Sequence, residues 1–97
     1  MKNEVLEVIN VRTRRFSEVS CVVASFEVVK YNEKALVIFG DEINTVKKFL
    51  QQHGGSFNHR LKYENDVAPG CVFPLYKKDK VIKLMASSKM ANLFYTA

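Results

Sequence analysis

The spacing of apolar residues along the chain predicts an antiparallel sheet. Residues 19–29 read VSCVVASFEVV, and valine favours strands because its branched side chain loses rotamer freedom in a helix. Alternate positions of this segment, Val22, Ala24, Phe26 and Val28, fall on one face. Residues 35–39 read ALVIF, an unbroken apolar run that is typical of a central strand. The polar residues 31–34 between the two runs predict a hairpin turn.

Three further segments are predicted to be strands. Residues 4–11, EVLEVINV, are rich in β-branched side chains. A short helix is the alternative for this segment, and we favour the strand. Residues 56–63 and 70–74 are interpreted as two short strands. Residues 64–69 contain Asn, Asp and Pro and are interpreted as the surface loop between those strands.

Two helices are predicted where apolar residues recur at helical spacing. The first covers residues 43–53, with Asp41 as its N-cap and Gly54 as its stop. The second covers residues 77–85 and carries lysines on its exposed side. The predicted core consists of Val22, Phe26, Leu36, Ile38, Val46, Phe49, Leu50, Leu61, Val72, Phe73, Val81 and Leu84. These elements predict an α+β fold, an antiparallel sheet of four or five strands with two helices mainly on one face.

The length of 97 residues predicts a single domain, 1–97, with residues 86–97 as a tail. No apolar run approaches the roughly 20 residues of a membrane-spanning helix, and the first residues lack the apolar stretch of a secretory signal. The two cysteines, Cys21 and Cys71, are too few for a disulfide scaffold. We therefore expect no membrane association and a reducing, intracellular location.

The charge of the chain is unevenly distributed. There are 15 Lys and Arg residues against 10 Asp and Glu, a net charge of +5. Residues 1–48 hold 8 basic and 7 acidic side chains, whereas residues 49–97 hold 7 and 3. Excess positive charge attracts polyanions, chiefly nucleic acid. The alternative interpretation is that the charge serves solubility.

The basic residues form several clusters that could contact phosphates. The candidate nucleic-acid-binding residues are Arg14, Arg15, Lys47, Lys48, Arg60, Lys62, Lys77 and Lys78. We expect Arg60, Lys62, Lys77 and Lys78 to line one phosphate-contacting surface, to which Arg14 and Arg15 add. Phe57, Tyr63 and Tyr76 lie among them in sequence, and exposed rings could stack on unpaired bases. The alternative is a solvated lysine face with Phe57 in the core.

Other chemistry has little support in the sequence. The potential zinc ligands Cys21, Cys71, His53 and His59 lack the paired spacing of a structural zinc site, so no metal is expected. Glycines 54 and 55 could form a phosphate-binding nest, but a helix stop is the better interpretation. No nucleotide-binding glycine motif is present, and no nucleophile has an obvious base. We expect neither a cofactor nor enzymatic activity.

Residues 34–85 carry short motifs in a characteristic order. They are Phe39-Gly40-Asp41, Leu50, Gly54-Gly55-Ser56-Phe57-Asn58, Leu61, Pro69-Gly70-Cys71-Val72-Phe73-Pro74 and Lys77-Lys78. This order resembles a small domain found in proteins of large DNA viruses and in some bacterial mobile-element proteins. One position departs from that pattern, because Cys71 stands where the domain has tryptophan. The first 33 and last 12 residues lie outside the resemblance.

The resemblance implies an accessory role beside viral and DNA-processing proteins. It favours nucleic-acid association, a viral origin and a location in the nucleus or cytoplasm of a host cell. The first hypothesis is therefore a small nonenzymatic nucleic-acid-binding protein that acts mainly through phosphate contacts. The second is a protein-interaction module, a dimeric viral protein that binds a host or viral partner and not nucleic acid.

The apolar tail residues Met90, Leu93, Phe94 and Tyr95 either dock on their own domain or form an interface. A domain of this size gains stability from buried interface area, and exposed strand edges favour pairing. We therefore predict a homodimer, which light scattering at micromolar concentration would record as twice the mass of the 97-residue chain. A single-chain mass throughout the concentration range would contradict this prediction.

Overall fold

The computed structural model describes residues 4–12 and 22–94. The strands are β1 (Glu4–Arg12), β2 (Val22–Lys30), β3 (Ala35–Gly40), β4 (Ser56–Tyr63) and β5 (Asp66–Pro74). The helices are α1 (Ile43–Gln52), α2 (Lys78–Met85) and the short α3 (Ser88–Asn92), and a 3-10 turn, Leu75–Lys77, precedes α2. The predicted α+β fold is confirmed. The first residues of the predicted strand 19–29 lie outside the described residues, and α3 was not predicted.

All five strands belong to one antiparallel sheet with the order β1-β2-β3-β5-β4. Because β5 is antiparallel to both of its neighbours, β3 and β4 run parallel and α1 connects them across β5. The last strand in the chain therefore lies inside the sheet, and β4 forms an edge. Within the described residues no helix is both long and apolar enough to cross a membrane.

The main core lies between one face of the sheet and the helices. Ile43, Val46 and Leu50 of α1 and Val81 and Met85 of α2 are buried there. The sheet contributes a complementary set of buried side chains, Ile9, Val11, Ala24, Phe26, Val28, Leu36, Ile38, Cys71 and Phe73. Each helix supplies an apolar stripe at 3.6-residue spacing, which is why both helices pack on the same apolar sheet face.

The opposite face of the sheet carries a smaller apolar cluster. Val29, Val37, Phe39 and Leu61 are buried in it, and Tyr63 packs edge-on against Phe39 with ring centroids 4.5 Å apart. Both faces of β2 and β3 therefore bear buried side chains. This explains the continuous apolar sequence of residues 35–39.

The prediction of a loop over residues 64–69 is wrong. Residues 66–69 belong to β5, and only Glu64 and Asn65 form the turn, with Glu64 in the left-handed region at φ 58°. Pro69 is accommodated because the β4–β5 register shifts between Asn58 and Leu61, so two residues of β4 oppose this proline. A proline cannot donate a ladder hydrogen bond and is found at such bulges.

The start of α1 also differs from the prediction. Asp41 does not cap the helix, because the N-cap residue is Glu42 and no side chain makes a capping hydrogen bond. Glu42 instead accepts a hydrogen bond at Oε2 from the Thr45 hydroxyl, 2.9 Å away. The predicted end is confirmed to within one residue, since α1 stops at Gln52 and Gly54 has a φ of 97°.

Three predicted core residues are not fully buried, and the side chain of a fourth is not described. Phe49, Val72 and Leu84 are only partly buried, contrary to prediction, because each lies at the margin of an apolar cluster. The side chain of Val22 lies outside the described residues. Each of the remaining predicted core residues is buried.

The described part of the tail, residues 86–94, docks on its own sheet, and Tyr95 lies outside the described residues. Met90 is fully buried in the main core, and Leu93 and Phe94 pack against it. The rings of Phe94 and Phe26 lie 6.3 Å apart. Of the two alternatives for the tail, the described residues therefore support the intramolecular one.

Leu50→Ala should lower the free energy of unfolding by about 2–5 kcal/mol, because Leu50 is fully buried and the change leaves a cavity in the main core. Urea denaturation followed by circular dichroism measures this loss. The neighbouring exposed residue provides the control, since Gln51→Ala should change stability by no more than about 0.5 kcal/mol. Equal stabilities of the two variants would contradict the described orientation of α1.

Candidate nucleic-acid interface

The sheet topology brings the end of α1 next to the beginning of α2. The chain leaves α1 through two glycines and enters β4, whose first residue Ser56 pairs with Val72 near the end of β5. Three residues after Val72 the chain enters the 3-10 turn, which leads into α2. The two helix ends therefore meet at one corner of the sheet, and a groove lies between them.

This groove, which we call the lysine groove, has a volume of about 380 Å³ and falls within the usual range of ligand sites. Its floor is apolar and its rim is basic. The residues that line it are His53, Phe73, Lys77, Lys80, Val81, Lys83 and Leu84. No Asp or Glu is among these described lining residues. The lysines recur every three residues, which keeps them along one side of the helical segment.

Lys77 lies beside the C-terminal end of α1 and also lines the lysine groove. A Cβ atom added to Gly54 would lie 3.5 Å from the Lys77 ammonium, so this charge stands at the C-terminal end of α1. Aligned carbonyl dipoles favour a cation there, and α1 has no basic residue in its own last turn. Lys80 and Lys83, which are exposed, are the lysines of the groove with free access to solvent.

The paired glycines do not form a free anion site. The amide of Gly54 donates to the carbonyl oxygen of Gln51 at 3.2 Å, and that of Gly55 donates to Leu50 at 2.9 Å. A Cβ atom on Gly55 would come within 2.8 Å of the Phe73 ring. The pair thus closes the helix and lets β4 pass close to the core, as the helix-stop interpretation predicts.

A second basic patch lies where α1 faces β4. The Lys47 ammonium sits 4.5 Å above the centre of the Phe57 ring, and His59 packs edge-on against the same ring at 4.8 Å. Phe57 is partly buried beneath these groups. Its face is already occupied by a cation–π contact, so Phe57 does not offer a free stacking surface. Lys48 is exposed on the same helix.

Arg60 and Lys62 lie farther along the edge strand β4 and are exposed. Lys62 pairs with Val67, seven residues before β5 ends at Pro74. At about 3.3 Å per residue, this places Lys62 about 23 Å from that end of the strand. Arg60, Lys62, Lys77 and Lys78 therefore do not form one compact cluster, although a polyanion lying along β4 could contact both ends.

Lys78 points to a different side of α2 from Lys77. It lines a depression with Lys30, Tyr76 and Asp79, among other residues, whereas Lys77 lines the lysine groove.

Arg14 and Arg15 lie outside the described residues. Lys80 and Lys83 were not among the candidate binding residues, although their three-residue spacing from Lys77 is a signal visible in the sequence.

Tyr63 is held in place by a carboxylate. Its hydroxyl donates a hydrogen bond to Oε1 of Glu27 on the face opposite the helices. This bond, together with burial and the nearby charges of Glu27 and Glu64, raises the pKa of Tyr63 to about 12. Tyr63 therefore holds β2 and β4 together and is not an exposed stacking ring.

The three potential metal ligands that the structure describes, His53, His59 and Cys71, do not converge. His53 packs against Phe49 with ring centroids 4.9 Å apart, His59 packs against Phe57, and Cys71 is buried in the main core. Among the described residues no group of three His, Cys, Asp or Glu side chains could hold a metal ion. Cys21 lies outside the described residues.

No family model matches this chain, and neither a curated protein nor a solved structure shows significant similarity to it.

Burial raises the pKa of the Cys71 thiol to about 11, an effect larger than the opposing influence of Lys47. Raising the pKa from the usual 9 lowers the thiolate fraction at neutral pH about 100-fold, and the core also blocks access. In a Cys21→Ser background, Cys71 should therefore react with a thiol reagent at least about 100-fold more slowly in the folded protein than in urea. As a control, an exposed thiol introduced by Gln52→Cys, with both native cysteines replaced by serine, should react at similar rates in both conditions. Rapid modification of folded Cys71 would contradict its burial.

Proposed function

We propose that this protein is a small, nonenzymatic nucleic-acid-binding accessory protein that contacts phosphates through the lysine groove. The observation that carries the proposal is the convergence of Lys77, Lys80 and Lys83 on one groove whose described lining residues include no carboxylate. Such an arrangement concentrates positive potential where a polyanion can approach. The net charge of +5 adds a long-range attraction of the same sign.

The surroundings of the groove extend the basic surface. Together α1 and β4 carry Lys47, Lys48, Arg60 and Lys62 and no acidic residue. Phosphate contacts carry no base-specific information, so binding through these flexible point charges should depend weakly on sequence. The resemblance of residues 34–85 to a domain of viral and mobile-element proteins favours the same role, in a viral protein inside a host cell.

Exposed apolar residues on β1 support a second candidate function. Val5 and Val8 are about half exposed on this edge strand, where an unpaired backbone can add another strand. The alternative is therefore a protein-interaction module, in which β1 pairs with a partner or with a second copy and the basic charge serves solubility. A homodimer formed through β1 is compatible with both functions.

Fluorescence anisotropy with labelled oligonucleotides at several salt concentrations tests the proposal. Lys80→Gln combined with Lys83→Gln should weaken binding to every sequence alike, because it removes two phosphate contacts. The slope of log K against log salt should fall by about 1.8 for duplex DNA, since each contact contributes about 0.9. Lys77 stays unchanged in this variant because its charge also faces the end of α1.

A matched control variant changes the net charge by the same amount at positions away from the lysine groove. Lys89→Gln combined with Asn92→Asp lowers the net charge by the same two units at exposed positions that do not line the groove, and its salt slope should stay close to that of the parent. Equal losses in the two variants would show that overall charge and not the groove governs binding. No binding by the parent at low salt would reject the proposal in favour of the interaction module.

A further inference from the structure

Tyr76 is exceptionally exposed for an aromatic residue. Its exposed fraction is 84%, whereas every other Phe or Tyr side chain in the described part of the chain is buried or partly buried. Folding gains almost nothing from this ring, because both of its faces remain in water. Tyrosine is enriched at interfaces, because its ring offers a large apolar area and its hydroxyl group a polar tip.

The residues on either side of Tyr76 hold it in this outward position. Pro74 restricts the chain before it, and the amide of Leu75 donates a 2.9 Å hydrogen bond to the carbonyl oxygen of Lys34 at the start of β3. Leu75 packs against the main core, and Lys77 lines the lysine groove. Because a 3-10 turn has three residues per turn, its three side chains point in three different directions. Leu75 points inward, Tyr76 points outward and Lys77 points toward the lysine groove.

The ring stands between two shallow depressions. One is bounded by Glu33, Lys34, Pro74 and Leu75, and has a volume of about 560 Å³. The other has a volume of about 440 Å³, and Leu75 borders this one too. Its remaining lining residues are Glu4, Leu6, Lys30, Lys78 and Asp79. A flat group can therefore approach Tyr76 from either side.

The charges beside Tyr76 distinguish this place from the lysine groove. Each depression combines lysine with carboxylate side chains, whereas no carboxylate is among the described residues that line the groove. Carboxylates disfavour a phosphate but accept hydrogen bonds from the amino groups of bases, and lysines donate to base carbonyls and ring nitrogens. The depressions therefore suit the edges of an uncharged, flat heterocycle.

From these observations we infer that Tyr76 is a stacking platform for an unpaired base, and that the protein consequently prefers single-stranded nucleic acid. This inference rests on the proposed function, because the lysine groove supplies the phosphate contacts. Tyr76 and Lys77 are consecutive, with Cα atoms about 3.8 Å apart, so one strand can place a phosphate in the groove and a nearby base on the ring. A base inside a duplex is already stacked on its neighbours and cannot reach Tyr76.

Affinity measurements with matched oligonucleotides test the inference. Tyr76→Ala should weaken binding to a single-stranded DNA by roughly 5- to 150-fold, the range observed when one stacked aromatic residue is removed. Binding to a duplex should change less than about twofold, because duplex binding uses only phosphate contacts. Tyr76→Phe keeps the ring and should retain most of the affinity. Val67→Ala, at a half-exposed apolar position of β5 away from the 3-10 turn, is the control and should have no effect.

A fluorescent reporter provides a second readout. The chain contains no tryptophan, so Tyr76→Trp introduces a single indole at the proposed platform. A stacked base should quench its emission when single-stranded DNA is added, and an oligonucleotide without bases at the same length should not. Val67→Trp places the indole far from the 3-10 turn, and its emission should stay unchanged with both oligonucleotides.

The outcomes separate this inference from the proposed function. Suppose that Tyr76→Ala binds single-stranded DNA like the parent while the Lys80 and Lys83 variant binds more weakly. The inference of base stacking on Tyr76 is then wrong, and phosphate binding through the lysine groove is still supported. If the parent binds neither single-stranded nor duplex DNA, both ideas fail and Tyr76 belongs to a protein-binding surface. If Tyr76→Ala loses equal affinity for both forms, the ring contributes to general binding and the single-strand preference is wrong.

Discussion

The antiparallel ladder between β3 and β5 is the interaction on which the other parts of this structure depend. It aligns Leu36 with Phe73 and Ile38 with Cys71, and all four side chains are buried beneath the helices. The ladder also inserts β5 between two parallel strands, so the end of α1 and the start of α2 meet at one corner. Both the common core and the lysine groove therefore arise from this pairing.

The lysine groove combines apolar residues that pack in the core with lysines that carry positive charge. Its floor consists of Phe73, Val81 and Leu84, two of which are buried in the main core. Lysine side chains around such a floor can cover apolar surface with their methylene groups while their ammonium groups stay in water. The groove is therefore compatible with stability, because Lys80 and Lys83 are exposed and keep their charges in solvent.

Aromatic residues divide sharply by environment in this fold. Phe57 is covered by Lys47, and Tyr63 is bonded to Glu27, so neither ring is available to a ligand. Tyr76 has no such partner among the contacts described for it, and the same short segment places Lys77 in the groove. The proposed phosphate and base contacts thus arise from consecutive residues of one 3-10 turn, which is hydrogen-bonded to the start of β3.

Local patterns in the sequence determined the strands, the two main helices and most of the core, because side-chain periodicity follows directly from backbone geometry. They failed at residues 64–69, where Pro69 and its polar neighbours indicate a turn although a bulge in the partner strand accommodates the proline. Sequence patterns predicted less of the candidate site than of the fold. The three-residue spacing of the groove lysines is visible in the sequence, but their position beside the end of α1 and the exposure of Tyr76 depend on strand order and on the 3-10 turn. Tertiary structure alone decided these features, because they arise from pairing between residues far apart in the chain, which no local pattern records.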